Sequence, residues 1–244
     1  MENNEFNKLP VNIGKPPWTR DDIKSELLDF LKLYNNRPIY DNKGGMGAPH
    51  CFATYFMMQR LNKDFIIESG IWRGQSTWLI EQTCPNAKLL CIDPNLHYIK
   101  YKSKKATYTI KDWNTLDIKN PEETLCFFDD HQNAVNRIES AIKRGFKHLI
   151  FEDNYPIGQG DCVSLKQTLE ENTEVANFLR KHIEVYYEFP PVFKQEKTRW
   201  GDDWTDLKYP TNTPIFLNLK GNEKYKSFYD DALGYTWIAY VKLR

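Results

Sequence analysis

Residues 64–77 read Asp-Phe-Ile-Ile-Glu-Ser-Gly-Ile-Trp-Arg-Gly-Gln-Ser-Thr, and these fourteen positions hold a strand, a tight turn and a helix start. Phe65, Ile66 and Ile67 form the apolar strand, Glu68 lies at its end, and Ser76 and Thr77 open the helix. Gly70 and Gly74 let the backbone turn sharply and come close to a ligand, because no Cβ blocks the approach. The spacing Glu-x-Gly-x-x-x-Gly differs from the Gly-x-Gly-x-x-Gly of dinucleotide-binding folds.

Downstream, short apolar runs alternate with helical patterns. Strands are expected at Phe65–Ser69, Lys88–Ile92, Thr107–Ile110, Thr124–Phe128, His148–Phe151, Glu184–Phe189 and Tyr235–Leu243. Helices are expected over 19–34, 50–61, 75–83, 134–144 and 165–182, the last as one continuous element. Short apolar strands bounded by polar turns suit a sheet buried on both faces, with right-handed crossovers between parallel strands. The fold class is therefore α/β: a Rossmann-like, seven-stranded, mostly parallel sheet with helices on both faces. One domain accounts for all 244 residues: an N-terminal arm, helices and glycine segment over 1–60, a core over 61–193, an insertion over 194–232 and a last strand over 233–244. Gly44, Gly45 and Gly47 make residues 41–49 a candidate mobile lid.

In open parallel sheets, ligands bind beyond the carboxyl ends of the strands. Acidic residues gather at four of those ends: Glu68, Asp93, the pair Asp129-Asp130, and the pair Glu152-Asp153. Asp93 lies about 20 residues past the glycine turn, where a carboxylate can accept hydrogen bonds from a ribose. Asp112 and Trp113 follow the third strand; Trp113 either stacks on a ring or fills the core. Asp129-Asp130-His131 and Glu152-Asp153-Asn154 end neighbouring strands and should converge. Carboxylates held that close repel one another unless a cation or protons neutralise them, and hard oxygen donors suit Mg²⁺, Ca²⁺ or Mn²⁺. His131 is either a candidate proton acceptor, since imidazole titrates near neutrality, or a strand-end residue bonded to the backbone.

The glycine turn resembles the first motif of class I S-adenosylmethionine-dependent methyltransferases. The order of motifs is similar to that of the metal-dependent O-methyltransferases, a group that includes catechol and caffeoyl-coenzyme A methyltransferases. Closer still is the resemblance to macrocin O-methyltransferase and cephalosporin hydroxylase-like proteins, carried by Phe128-Asp129-Asp130-His131-Gln132, Phe151-Glu152-Asp153-Asn154-Tyr155 and the glycine segment from Asn42 to His50. It spans roughly residues 40–160. It implies S-adenosyl-L-methionine as cofactor, contacted by Glu68, Gly70, Gly74, Ser76, Thr77, Asp93 and Asp112. It also implies Mg²⁺ (or Mn²⁺) held among Asp129, Asp130, Glu152, Asp153 and Asn154, with His131 and Asp130 catalytic. One departure stands out: aligned on His131, the usual first aspartate falls on Phe128, so either Asp129 or Asp130 must replace it. The implied reaction is O-methylation of a small-molecule or glycan acceptor, a sugar or other polyhydroxylated compound. Trp200, Trp204 and Tyr209 in the insertion are candidates for stacking on its ring.

Two rival readings differ in class. A hydroxylase on the same fold needs a two-histidine, one-carboxylate iron site, and only His131 stands in the acidic segments. A binding module would keep the cofactor turn without an acceptor site. The 33 basic and 33 acidic residues balance, so no polycationic field points to nucleic acid. The most apolar stretch, Cys51 to Met58, is too short to span a bilayer. The amino terminus lacks a basic start and apolar run, and the five cysteines include no C-x-x-C pair. A cytoplasmic protein with reduced thiols is the expectation, and self-association is left open.

Overall fold

The computed structural model describes residues 10–193, 197–198, 201–205, 208–216, 221–230 and 237–244. Its strands are β1 (Phe65–Ser69), β2 (Lys88–Ile92), β3 (Ala106–Thr109), β4 (Thr124–Phe128), β5 (His148–Phe151), β6 (Ile183–Glu188) and β7 (Ala239–Leu243). They form one sheet in the order β3-β2-β1-β4-β5-β7-β6. Pairings from β3 through β5 are parallel, while β7 runs antiparallel to both β5 and β6. Strand order reverses between β1 and β4, the switch point where a doubly wound sheet opens its ligand crevice.

The helices are α1 (Arg20–Tyr34), α2 (Ala48–Leu61), α3 (Gln75–Thr83), α4 (Ala134–Arg144), α5 (Leu165–Leu169), α6 (Glu174–His182) and α7 (Lys226–Asp230). Thr19 and Asp22 close a capping box that starts α1. Residues 165–182 are two helices rather than the single one expected. Thr173 accepts the Ala176 amide and begins α6 afresh, because a free side-chain acceptor at that point competes with continuing the first helix.

Side-chain alternation along the strands sorts the core into two layers. Ile66, Leu89, Cys91, Leu125, Phe127 and Ile150 pack with residues of α1, α2 and α3 on one face. Ile67, Ile92, Cys126, Phe128, Leu149 and Phe151 pack with α4 and α6 on the other. Both faces are covered, as parallel strands require. The amino-terminal arm docks at Ile13, which exchanges backbone hydrogen bonds of 3.0 and 2.9 Å with Tyr186 and covers part of the β6 edge. Cys51, Cys84, Cys91 and Cys126 are buried free thiols, and Cys162 is half-buried. Among the described residues no helix is long and apolar enough to cross a membrane.

Trp204 and Tyr209 are buried against Trp237, with ring centroids 5.2 and 5.7 Å away. They serve as packing anchors and offer no face to a ring, while Trp200 lies outside the described residues, as do Tyr235 and Thr236 of the expected last strand. A buried Lys166–Glu188 ion pair (2.8 Å) ties α5 to β6, and Lys166 Nζ also donates to the Pro210 carbonyl at 2.9 Å.

Candidate functional site

The turn after β1 is held by protein contacts on all sides. Gly70 has φ of +92°, and a Cβ built there would overlap the carbonyl of Asp129, at the end of β4. Gly74 has φ of +91°, and its Cβ would overlap the carbonyl of Tyr101. Both positions need glycine because neighbouring backbone, rather than a ligand, fills the space. Glu68 and Thr77 are fully buried and bonded to each other, Thr77 Oγ1 donating to Glu68 Oε2 at 2.6 Å. Ser76 is buried as well. The three side chains expected to touch cofactor therefore form a polar knot beneath the turn, joining β1 to the first turn of α3. Burial pushes the Glu68 carboxyl up, against the opposing hydrogen bonds of Ser76 and Thr77.

Asp93 stands at the end of β2 as expected, and its Oδ2 accepts the amides of Ile71 (2.9 Å) and Trp72 (3.2 Å). Its carboxylate thus shapes the glycine turn. Trp72 itself has φ of +50°, a left-handed conformation that this carboxylate stabilises. Asp112 caps a short turn by accepting the Asn114 amide at 2.9 Å and pairs with Arg137 at 3.1 Å. Partial burial raises its carboxyl, yet Arg137 and the Asn114 amide outweigh burial and hold it below the ordinary value. Trp113 is fully buried, edge-on to Phe128 with centroids 5.1 Å apart, so it is a core residue.

At the ends of β4 and β5 the structure separates the acids into different roles. Asp130 Oδ2 accepts from Arg137 Nη2 at 2.7 Å and from Ser69 Oγ at 2.6 Å. Its charge is matched by a buried guanidinium, which argues against Asp130 as a cation ligand or catalytic acid. Asn154 is fully buried: its amide donates to the Tyr186 hydroxyl at 2.9 Å, and its carbonyl oxygen accepts from the Lys166 amide at 2.9 Å. It points into the core and leaves the expected ligand set. Glu152 is buried and bonded to His50 Nδ1.

Asp129, His131 and Asp153 remain. Each offers one atom, and the three atoms lie within 4.8 Å of one another. Burial, then Glu152 and Asp153, push the Asp129 carboxyl well above the usual range. Burial and Glu152 push Asp153 up to about 7, even though His131 and the Tyr155 hydroxyl oppose the shift. His131 donates its amide to Asp153 Oδ2 at 2.9 Å, with φ of +52°. Its imidazole Nδ1 lies 2.9 Å from Asp161 and 3.7 Å from Asp153. Burial lowers the imidazole pKa, but the two carboxylates outweigh it and raise the net value. A half-buried and a buried carboxylate, with an imidazole beside them, fit a small divalent cation: Mg²⁺ is held by one or two carboxylates plus water, and Mn²⁺ accepts the same donors.

The glycine segment 41–47 roofs the turn. Arg73 Nη1 bonds the Asp41 carbonyl, Trp72 Nε1 donates to the Lys43 carbonyl at 3.2 Å, and Gly44 sits against the Trp72 indole. Arg137, Trp72 and His50 were not foreseen as site residues. For Arg137 the available signal was a lone arginine on the apolar face of α4. A cavity of about 920 Å³, lined in part by Phe65, Leu90, Ile118 and Lys88, opens at the amino ends of the strands, the edge opposite the acids.

Comparison with known proteins adds context. No protein-family model and no curated protein matches this chain. Among solved structures, it is similar to CmcI-N160 in its apo form at 15% identity over 75% of this chain and 82% of that one, TM-score 0.44. It is also similar to the SAH-bound methyltransferase PaMTH1 of Podospora anserina, at 12% identity over 69% and 74% of the two chains, TM-score 0.41. A third is the plantazolicin methyltransferase BpumL with SAH and a desmethyl analogue, at 12% identity over 93% and 100%, TM-score 0.42.

Proposed function

We propose that this protein is an S-adenosylmethionine-dependent O-methyltransferase assisted by a divalent cation. The observation that carries the reading is the convergence of Asp129, His131 and Asp153 within 4.8 Å of one another, where the turn after β4, whose backbone packs against Gly70, meets the end of β5. S-adenosylmethionine supplies the methyl group as a sulfonium, and a cation beside the acceptor hydroxyl lowers its pKa. The chain's own residues do the rest. Asp129 and Asp153 supply the charge that holds Mg²⁺ or Mn²⁺. His131, oriented by Asp161, takes the hydroxyl proton, a role suited to an imidazole flanked by carboxylates. Gly70, Gly74 and Asp93 keep the turn in the shape that brings its backbone close to the cofactor. The 41–47 roof excludes water from the sulfonium.

The acceptor in this reading is a small hydroxylated molecule. A sugar acceptor rests on the family resemblance alone, since Trp204 and Tyr209 are buried.

Titration calorimetry with S-adenosylhomocysteine, with and without Mn²⁺, tests the reading directly. We expect Asp153→Ala to lose cation binding while retaining the cofactor product. If wild-type protein binds no S-adenosylhomocysteine, the cofactor assignment fails. If it turns over fully in EDTA, the cation assignment fails.

A further inference from the structure

Glu152 follows β5 and belongs by position to the acidic group, but it is absent from the converging set. One of its oxygens is taken by Nδ1 of His50, and both side chains are at least nine-tenths buried. His50 stands in the first turn of α2, two residues after the helix begins at Ala48 and three after the glycine roof ends at Gly47. Residues 41–50 therefore run from the β1 turn, where Arg73 and Trp72 hold Asp41 and Lys43, to the end of β5, where His50 holds Glu152.

A third carboxylate, itself buried, beside Asp129 and Asp153 is a liability unless something fixes it. Loose, it can swing toward its neighbour Asp153 and disturb the donor pair. Bonded to an imidazole on a packed helix, it has one orientation. We propose that His50 is a positioning residue: it holds Glu152 toward α2 and so leaves Asp129 and Asp153 as the cation-binding pair. The inference rests on the cation assignment above and deepens it. His50 touches neither cation nor acceptor in this account and acts through Glu152. Removing such outer-shell partners typically weakens metal binding about 10–100-fold.

A double-mutant cycle read by Mn²⁺ calorimetry on the full chain tests this, with S-adenosylhomocysteine affinity and thermal unfolding as fold controls. His50→Ala should weaken Mn²⁺ binding by about tenfold or more, with the fold controls near wild type. His50→Gln, which keeps an N–H to offer Glu152, should stay close to wild type. Glu152→Gln should bind Mn²⁺ nearly as well as wild type, and His50→Ala in that background should cause no further loss. A merely structural histidine would instead weaken both backgrounds equally, and that additivity overturns the proposal. So does a His50→Ala variant with unchanged Mn²⁺ affinity. Wild-type protein that binds S-adenosylhomocysteine but no Mn²⁺ overturns this proposal together with the cation assignment. A wild type that binds Mn²⁺ and gives the stated cycle, but binds no S-adenosylhomocysteine, supports the His50 role while sinking the cofactor reading.

Discussion

Arg137 and Asp130 form a buried ion pair, 2.7 Å between Nη2 and Oδ2, and that pair assigns different work to the two aspartates after β4. Asp130 belongs to the scaffold. Asp129, one residue earlier, has no guanidinium beside it and converges on His131 and Asp153. The same arginine reaches Asp112 at 3.1 Å, so one side chain of α4 fixes the loops after β3 and β4.

Arg137→Ala should therefore be strongly destabilising. It leaves Asp130 nearly buried with Ser69 as its remaining short contact, and breaking a buried pair costs about 3–5 kcal/mol. Urea unfolding should show a loss of about 3 kcal/mol with an unchanged slope. A loss under about 0.5 kcal/mol, ordinary for a surface residue, would mean that the pair does not hold the loops.

Gly70→Ala should damage the fold before it damages ligand binding. Left-handed backbone costs a non-glycine residue about 1–2 kcal/mol, and here the new methyl also meets the Asp129 carbonyl. A clear drop in melting temperature is expected without any ligand present. A variant with wild-type melting but lost S-adenosylhomocysteine binding would return Gly70 to the role of a ligand-facing glycine.

Much of this was legible in the chain. Strand positions follow from short apolar runs, and four of the seven agree end to end with those expected; β3 and β6 each begin and end one residue earlier, and β7 begins at Ala239 rather than Tyr235. The carboxyl-edge acids follow from the same runs. What the sequence could not give was direction. Asp153 and Asn154 are adjacent, and only the packing of Tyr186 and Lys166 turns Asn154 inward. Glu68, Ser76 and Thr77 match a motif, yet the motif does not say whether they face a crevice or a core. Arg137 and His50 act across more than one element, and no local periodicity signals a partner so far along the chain.

Stability should carry a histidine signature at acid pH. Burial, reinforced by Lys63, lowers the His148 imidazole to about 4, and its Nδ1 lies 2.9 Å from the Tyr240 hydroxyl. The unfolded chain then binds more protons than the native one between about pH 4 and the ordinary imidazole value near 6.5. This contribution is complete above that window and is lost as pH falls through it. Raised carboxyls such as Asp153 act in the opposite sense over part of the same range, so total stability is a poor readout. The difference between wild type and His148→Gln isolates the imidazole: the gap should close as pH falls from 7 to 4. A constant gap would show that His148 does not titrate differently in the two states.

The roof over the glycine turn makes the last prediction. Residues 41–47 carry three glycines, but Arg73 and the Trp72 indole hold them at the Asp41 and Lys43 carbonyls. Trp72→Phe keeps an aromatic ring at the turn but removes the Nε1 donor and the part of the indole beside Gly44. Hydrogen exchange at 41–47 should quicken in that variant, because local opening no longer breaks the indole bond. Adding S-adenosylhomocysteine should slow exchange in the wild type and slow it less in Trp72→Phe, since a closed roof needs its latch. The rest of the chain, including α2 beyond His50, should exchange as before. If 41–47 exchange at the same rate in both proteins and in both ligand states, the segment is an ordinary surface turn and the water-excluding roof must be sought elsewhere.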